Sequence, residues 1–185
     1  CIRDRLNQLL PKGALLVING GYFETDFRPS TWVRSQGLDL APKTDTSRGG
    51  VLAVKGERAF VGPFSGLSFD AELAVQSFPL IVEHDAISGI HSDDGKRAAR
   101  TVACMVGGEL RFVVIAAARG DGPTLFESAT FLREPPPRGF GCNTALNLDG
   151  GPSAGVWFAP SVPARQRLPL ALVAYAIAVV PAAAR

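Results

Sequence analysis

Two apolar runs in this chain each end in a polar residue followed by paired glycines. Ala14 to Ile18 runs into Asn19-Gly20-Gly21, and Ala145 to Leu148 runs into Asp149-Gly150-Gly151. Glycine at such a turn admits positive φ and leaves backbone N–H groups open to a ligand, because no Cβ blocks the approach. Taken singly, each turn is also explained as a simple tight turn. Asp149 is the best carboxylate candidate for chemistry, since it closes an apolar strand where partial burial tunes its pKa. Arg100 follows Arg97 and opens another apolar run. A guanidinium held there would grip a phosphate in two-pronged fashion, and a surface salt bridge is the competing explanation. Glu127 lies three residues after Thr124, so a helix-capping role already accounts for it.

Other chemistries are weaker. Gly151-Pro152-Ser153-Ala154-Gly155 matches the nucleophile elbow of α/β-hydrolases, whose acid and histidine follow the serine in chain order. No Asp, Glu or His follows Ser153 in this sequence, which argues strongly against that fold, and Ser153 reads as a hydrogen-bonding residue of the turn or site. His91, Asp93 and Asp94, with His84-Asp85 nearby, are the residues available for a metal, but a solvated loop is the better explanation, because strongly polar residues between strands usually just face water. Cys1, Cys104 and Cys142 form no C-x-x-C pair and no zinc spacing, which argues against structural zinc. Cys104 in its apolar run reads as a buried reduced thiol, with a Cys104–Cys142 bridge left open. Cys1 reads as a chain boundary rather than a lipidated N-terminus.

These residues need elements to hold them. Ile2, Leu6, Leu9 and Leu10 recur at helical spacing until Pro11-Lys12-Gly13, so a short amphipathic helix is expected first. Residues 24 to 48 lack a sustained period and read as a long polar excursion carrying Trp32. Gly50 to Val54 and Arg58 to Val61 flank Lys55-Gly56-Glu57, and Thr101 to Val106 and Leu110 to Ala116 flank Gly107-Gly108-Glu109; both read as hairpins. Leu73 to Phe78 and Leu80 to Val82 are extended and interrupted by Pro79, and residues 84 to 99 are polar. The capping box at Thr124 starts a helix over about 124 to 134, stopped by Pro135-Pro136-Pro137. Val156 to Phe158 is extended again. Leu168 to Pro181 is apolar, but Pro169 and Pro181 leave too few residues for the ~20 of a membrane span, so it reads as a buried terminal strand. Many strands in hairpin rhythm with few helices predict an α+β fold with a mixed, mostly antiparallel twisted sheet.

Composition agrees with one globular domain over residues 1–185: 46% of residues are hydrophobic and 19% charged. The net charge of +2 arises from 19 basic and 17 acidic residues spread along the chain, which offers no basic stripe for nucleic acid. No basic stretch followed by an apolar one heads the chain, so its location has to follow from its function.

Together, Ile18-Asn19-Gly20-Gly21-Tyr22-Phe23, Arg100-Thr101, Gly122-Pro123-Thr124 with Glu127, and Gly141-Cys142 leading to Ala145-Leu146-Asn147-Leu148-Asp149-Gly150-Gly151-Pro152-Ser153 resemble the phosphodiester glycosidase family over about residues 14 to 180. Phe78 before Pro79, and Pro152 and Ala154 beside Ser153, depart from its pattern. The resemblance implies a hydrolase that releases a sugar from a sugar-1-phosphodiester or cell-envelope glycan, working without a cofactor and outside the cytoplasm, in the periplasm or secreted. The lack of any N-x-S/T sequon leans toward a bacterial member. It further implies that Asn19, Gly20, Gly21, Arg100, Thr101, Asp149, Gly150, Gly151 and Ser153 line one cleft. On that expectation Arg100 and the glycine N–H groups hold the phosphate and Asp149 is base or nucleophile at the sugar carbon, while Asn19 and Ser153 bind sugar hydroxyls or orient Asp149. Two other readings stay open: an inactive glycan-binding module, and a metal-dependent phosphodiesterase using His91, Asp93 and Asp94.

Overall fold

The structure, a computed structural model, describes residues 9–44, 49–118 and 121–181; the expected first helix and Cys1 lie largely outside them. The first half holds β1 (Leu16–Asn19), β2 (Val33–Ser35), β3 (Leu38–Ala41), β4 (Gly50–Lys55), β5 (Arg58–Gly62), β6 (Leu73–Ser77), β7 (Leu80–Glu83) and β8 (Ala86–Ile87). The second holds β9 (Arg100–Val106), β10 (Glu109–Ile115), α1 (Leu125–Arg133), β11 (Thr144–Asn147), β12 (Val156–Phe158) and β13 (Ala176–Val179). The α+β class stands, with the strands divided among three sheets of order β12-β1-β13, β10-β9-β11-β7-β8 and β3-β2-β6-β4-β5. Every strand pairing among the described residues is antiparallel.

Side-chain alternation explains how three sheets share one interior. Ile18 of β1, Leu52 of β4, Val75 of β6, Ala103 of β9, Leu146 of β11 and Ile177 of β13 meet in a common core. Their chain neighbours face the other way: Val17 packs with Val173, Val51 and Ala53 with Trp32, and Val102, Cys104 and Ala145 with Ala129 and Leu132 of α1. Strands covered on both faces read as continuous apolar runs, which is why β4, β9 and β11 stand out in the sequence.

Both hairpins form, Lys55 opposite Arg58 and Val106 opposite Glu109. The capping box at α1 closes in both directions: Glu127 N donates to Thr124 Oγ1 at 3.1 Å, and Thr124 N donates to the Glu127 carboxylate at 3.0 Å. The polar excursion is a correction. It contains β2 and β3, and Trp32, only 1% exposed, anchors it by packing under Phe64 and donating from Nε1 to Asp39 at 2.8 Å. The terminal apolar run is also only partly a strand. Prolines keep its first part extended over the chain, where Leu170 N and Ala171 N both donate to Pro152 O and Leu170 stays exposed.

The reduced-thiol reading of Cys104 is corrected as well. Cys104 is buried as expected, but pairing of β11 with β9 carries Cys142 to a Cα–Cα distance of 5.8 Å, and the two form a disulfide under α1. The bridge spans a sequence separation of 38 residues. Replacing both cysteines with alanine is expected to lower the unfolding free energy by about 2–4 kcal/mol. Urea denaturation of the two proteins measures this, and equal midpoints would show that the bridge adds nothing.

Candidate active site

The ends of four strands from two sheets meet at one place, joined by backbone bonds outside the regular ladders. Leu148 N donates to Thr101 O at 2.8 Å, Asp149 N to Gly20 O at 3.2 Å, Gly20 N to Tyr175 O at 3.1 Å, and Gly151 N to Ala99 O at 2.7 Å. The Asn19, Arg100, Asp149 and Tyr175 segments are thereby fixed relative to one another.

Asn19 is the hub of this junction. It is 1% exposed, and its amide makes four bonds. Nδ2 donates to Asp149 O at 2.8 Å and Gly20 O at 3.0 Å, while Oδ1 accepts from Thr101 Oγ1 at 2.8 Å and Gly155 N at 3.0 Å. Its hydrogen-bonding capacity is used inside the protein. Asn19 and Thr101, which is fully buried, therefore turn their polar groups inward; of the two roles the sequence suggested for Asn19, bonding sugar hydroxyls or orienting Asp149, its bond to Asp149 O fits the second.

The glycines also act differently from expectation. Gly21 N donates to the Tyr175 hydroxyl at 2.9 Å and Gly150 N to Asp149 Oδ1 at 2.8 Å, so with Gly20 and Gly151 all four N–H groups are committed internally. None is left for a phosphate. What the sequence registers is close approach: a Cβ on Gly20 would lie 2.2 Å from the Tyr175 ring, and Gly151 has φ +58°.

Asp149 and Arg100 do reach the surface of this junction. Burial pushes the Asp149 carboxyl above the ordinary carboxylate range, against the lowering effect of hydrogen bonds from Ser153 and Gly150 N. Ser153 is thus brought to Asp149, as the sequence suggested. Arg100 makes no ion pair with a described residue, and it is Arg97 that pairs with Glu127, at 2.5 Å. Arg100 is instead aimed by carbonyls, with Nη2 donating to Lys96 O at 2.6 Å and Nε to Pro123 O at 3.3 Å. Burial lowers its pKa somewhat, offset by Tyr22 and Asp94.

Sequence reasoning named Tyr22, Asn147 and Phe78 only within or beside family motifs, gave them no role at the site, and passed over Tyr175. The Tyr22 hydroxyl accepts from Asn147 Nδ2 at 2.7 Å, and its ring stacks on half-exposed Phe78 with centroids 4.6 Å apart. Tyr22 is pushed up to about 12 by burial and then by the Asp149 charge, with Arg100 and Asn147 acting in the opposite direction. Tyr175 is raised by burial too. A buried polar Asn147 within an apolar strand was the available signal; Tyr175 carried none. His91, Asp93 and Asp94 lie in an exposed loop, Asp93 and Asp94 accept backbone N–H groups of that loop, and no three His, Cys, Asp or Glu among the described residues are grouped as for a metal.

A family model described as phosphodiester glycosidase matches residues 12–180. The fold is similar to the catalytic domain of zebrafish N-acetylglucosamine-1-phosphodiester alpha-N-acetylglucosaminidase, auto-inhibited by its pro-peptide. That match has a TM-score of 0.67 at 19% identity, covering 98% of this chain and 68% of that one. It is also similar to a hypothetical protein from Synechocystis, with a TM-score of 0.55 at 15% identity, covering 85% of this chain and 50% of that one. Among curated proteins none matches the chain.

Proposed function

Because this chain belongs to the phosphodiester glycosidase family, we propose that it hydrolyses the C–O bond between a sugar and the phosphate of a sugar-1-phosphodiester, releasing free sugar and a phosphate monoester. The observation that carries this reading is that one half-buried carboxylate, Asp149, and one guanidinium that no described carboxylate neutralises, Arg100, both act on Tyr22, and that Gly150 next to Asp149 lies against Arg100, where an added Cβ would come within 3.8 Å of Arg100 Cδ. Arg100 holds the diester anion. Asp149 acts at the sugar carbon, either taking the proton of an attacking water or forming a bond that water then hydrolyses. Ser153 and Asn19 hold Asp149 in place, one through its side chain and the other through its backbone carbonyl.

Leaving-group chemistry favours carbon over phosphorus. A departing phosphate monoester has a second pKa of about 6, so it leaves at neutral pH with little protonation. One carboxylate then suffices where ordinary glycosidases use two. Attack at phosphorus would expel a sugar alkoxide, which calls for metal ions or a strong acid. The name of the zebrafish relative makes N-acetylglucosamine the first sugar to try. The Cys104–Cys142 disulfide supports work in an oxidising compartment, outside the cytoplasm.

Reaction in oxygen-18 water tests the proposal. Label is expected in the released sugar and none in the phosphate. Label in the phosphate would transfer the chain to the phosphodiesterase reading, and absence of any sugar release across a panel of sugar-1-phosphodiesters would leave the binding-module reading.

A further inference from the structure

Tyr22 is bound in a way that leaves its hydroxyl proton without an acceptor among the described residues. The side-chain amide of Asn147 is oriented in one sense, with its nitrogen on carbonyls and its oxygen on no partner among the described residues. Nδ2 faces two backbone carbonyls, Leu148 O at 2.8 Å and Phe78 O at 3.3 Å. Turning the amide over would set its oxygen against both carbonyls. The group 2.7 Å from the Tyr22 oxygen is therefore an N–H donor, and Tyr22 accepts from it. Since an NH₂ group accepts nothing, the phenolic proton must point elsewhere. No hydrogen bond donated by Tyr22 to any described residue exists.

The surroundings show where that proton is of use. Asn147, which holds the Tyr22 oxygen, also bonds Leu148 O, one residue before Asp149, and Asp149 and Arg100 are the two charged groups that act on Tyr22, so its hydroxyl lies within electrostatic reach of the carboxylate proposed to work at the sugar carbon and the guanidinium proposed to hold the phosphate. Its ring cannot swing freely, because Phe78 stacks on one face at 4.6 Å and Asn147 holds the oxygen. We propose that Tyr22 is a further catalytic residue, whose free O–H donates a hydrogen bond to the departing phosphate as the C–O bond breaks. This rests on the glycosidase reading above.

The charge balance fits a donor that keeps its proton. The diester enters as a monoanion. When the C–O bond breaks, its electron pair stays on the phosphate oxygen, which becomes a phosphate monoester dianion, while the oxygen of water ends on the sugar carbon and its proton passes to Asp149 and then to solvent. The new negative charge appears on the phosphate, beside Arg100 and Tyr22. A neutral hydroxyl preset there strengthens its bond as that charge grows, so it favours the transition state over the bound substrate. With its pKa pushed up to about 12 by burial, Tyr22 keeps its proton at neutral pH, where the leaving phosphate is ionised.

Tyr22→Phe isolates the hydroxyl, since it keeps the ring and its stack on Phe78. With diesters of alkyl leaving groups, kcat is expected to fall roughly 10- to 100-fold with KM changed little. With aryl phosphate leaving groups, which stabilise the charge themselves, the loss shrinks to a few-fold. The same loss across all leaving groups would assign Tyr22 a merely structural role, and no loss would overturn the proposal. A second measurement does not depend on turnover: calorimetric titration with inorganic phosphate should show weaker binding to Tyr22→Phe than to wild type. Equal binding would overturn the contact, whereas failure of wild type to cleave any diester would overturn the glycosidase reading and leave this comparison to decide Tyr22.

Discussion

Asp149→Asn is expected to lower turnover by about 10³-fold or more while leaving substrate binding nearly intact and the fold at least as stable as wild type. The amide has the shape of the carboxylate, and its oxygen still accepts from Gly150 N, which bonds Asp149 Oδ1 at 2.8 Å. What is lost is the charge proposed to act at the sugar carbon. Stability moves the other way because of what burial does to the group. The folded-state pKa of Asp149 is raised, chiefly by desolvation, so its ionised form is the costly one inside the protein. By linkage, the stability tied to this group is fully present at pH below its ordinary value and is lost as pH rises through the raised one. The asparagine variant has no such loss and should gain on wild type above that window. The same shift places the acid limb of kcat/KM above the ordinary carboxylate range, since Asp149 must be ionised to act. Kinetics and urea denaturation across pH measure both effects, and near wild-type turnover by the variant would remove Asp149 from the chemistry.

The parts of this site that were legible in the sequence are those whose cause is local. Asp149 and Asn19 were visible because each closes an apolar strand, and the strands do exist as β11 and β1. The capping box was visible because its two bonds join residues three apart. What each polar group touches depends on partners far along the chain, and spacing cannot supply that. The glycine turns invited a phosphate because nothing in Asn19-Gly20-Gly21 announces that Tyr175, more than 150 positions later, takes the Gly21 N–H and fills the space above Gly20. Arg97 and Arg100 look interchangeable as letters. Only the meeting of β9 with the α1 N-terminus gives one of them a carboxylate and leaves the other with carbonyls. The partition of strands into three sheets was hidden for a related reason. Doubly covered strands lack the alternation that would reveal which face meets which partner.

Asn19→Ala is expected to be the most destabilising single change at the site, by about 3–5 kcal/mol, because two buried groups and one part-buried carbonyl lose a partner at once. Among the described residues, Thr101 Oγ1 and Gly155 N have no acceptor besides Asn19 Oδ1, and the Asp149 carbonyl has no donor besides Asn19 Nδ2. Gly20 O is less affected, since Asp149 N still donates to it. Asn19→Asp, nearly identical in shape, should be no milder. It replaces two N–H donors with an oxygen that confronts two carbonyls and puts a carboxylate where only 1% of the residue is exposed. Its pKa would be raised by that burial, so its stability should improve as pH falls and the group protonates, whereas Asn19→Ala should show no added pH dependence relative to wild type. Thermal and urea unfolding of both variants across pH measure the difference. If Asn19→Ala unfolded like wild type and lost only turnover, the amide would be touching substrate after all. If it lost stability first, with residual activity following the folded fraction, Asn19 is the pin that holds β1, β9 and the Asp149 turn in one place, and Asp149 works only because of it.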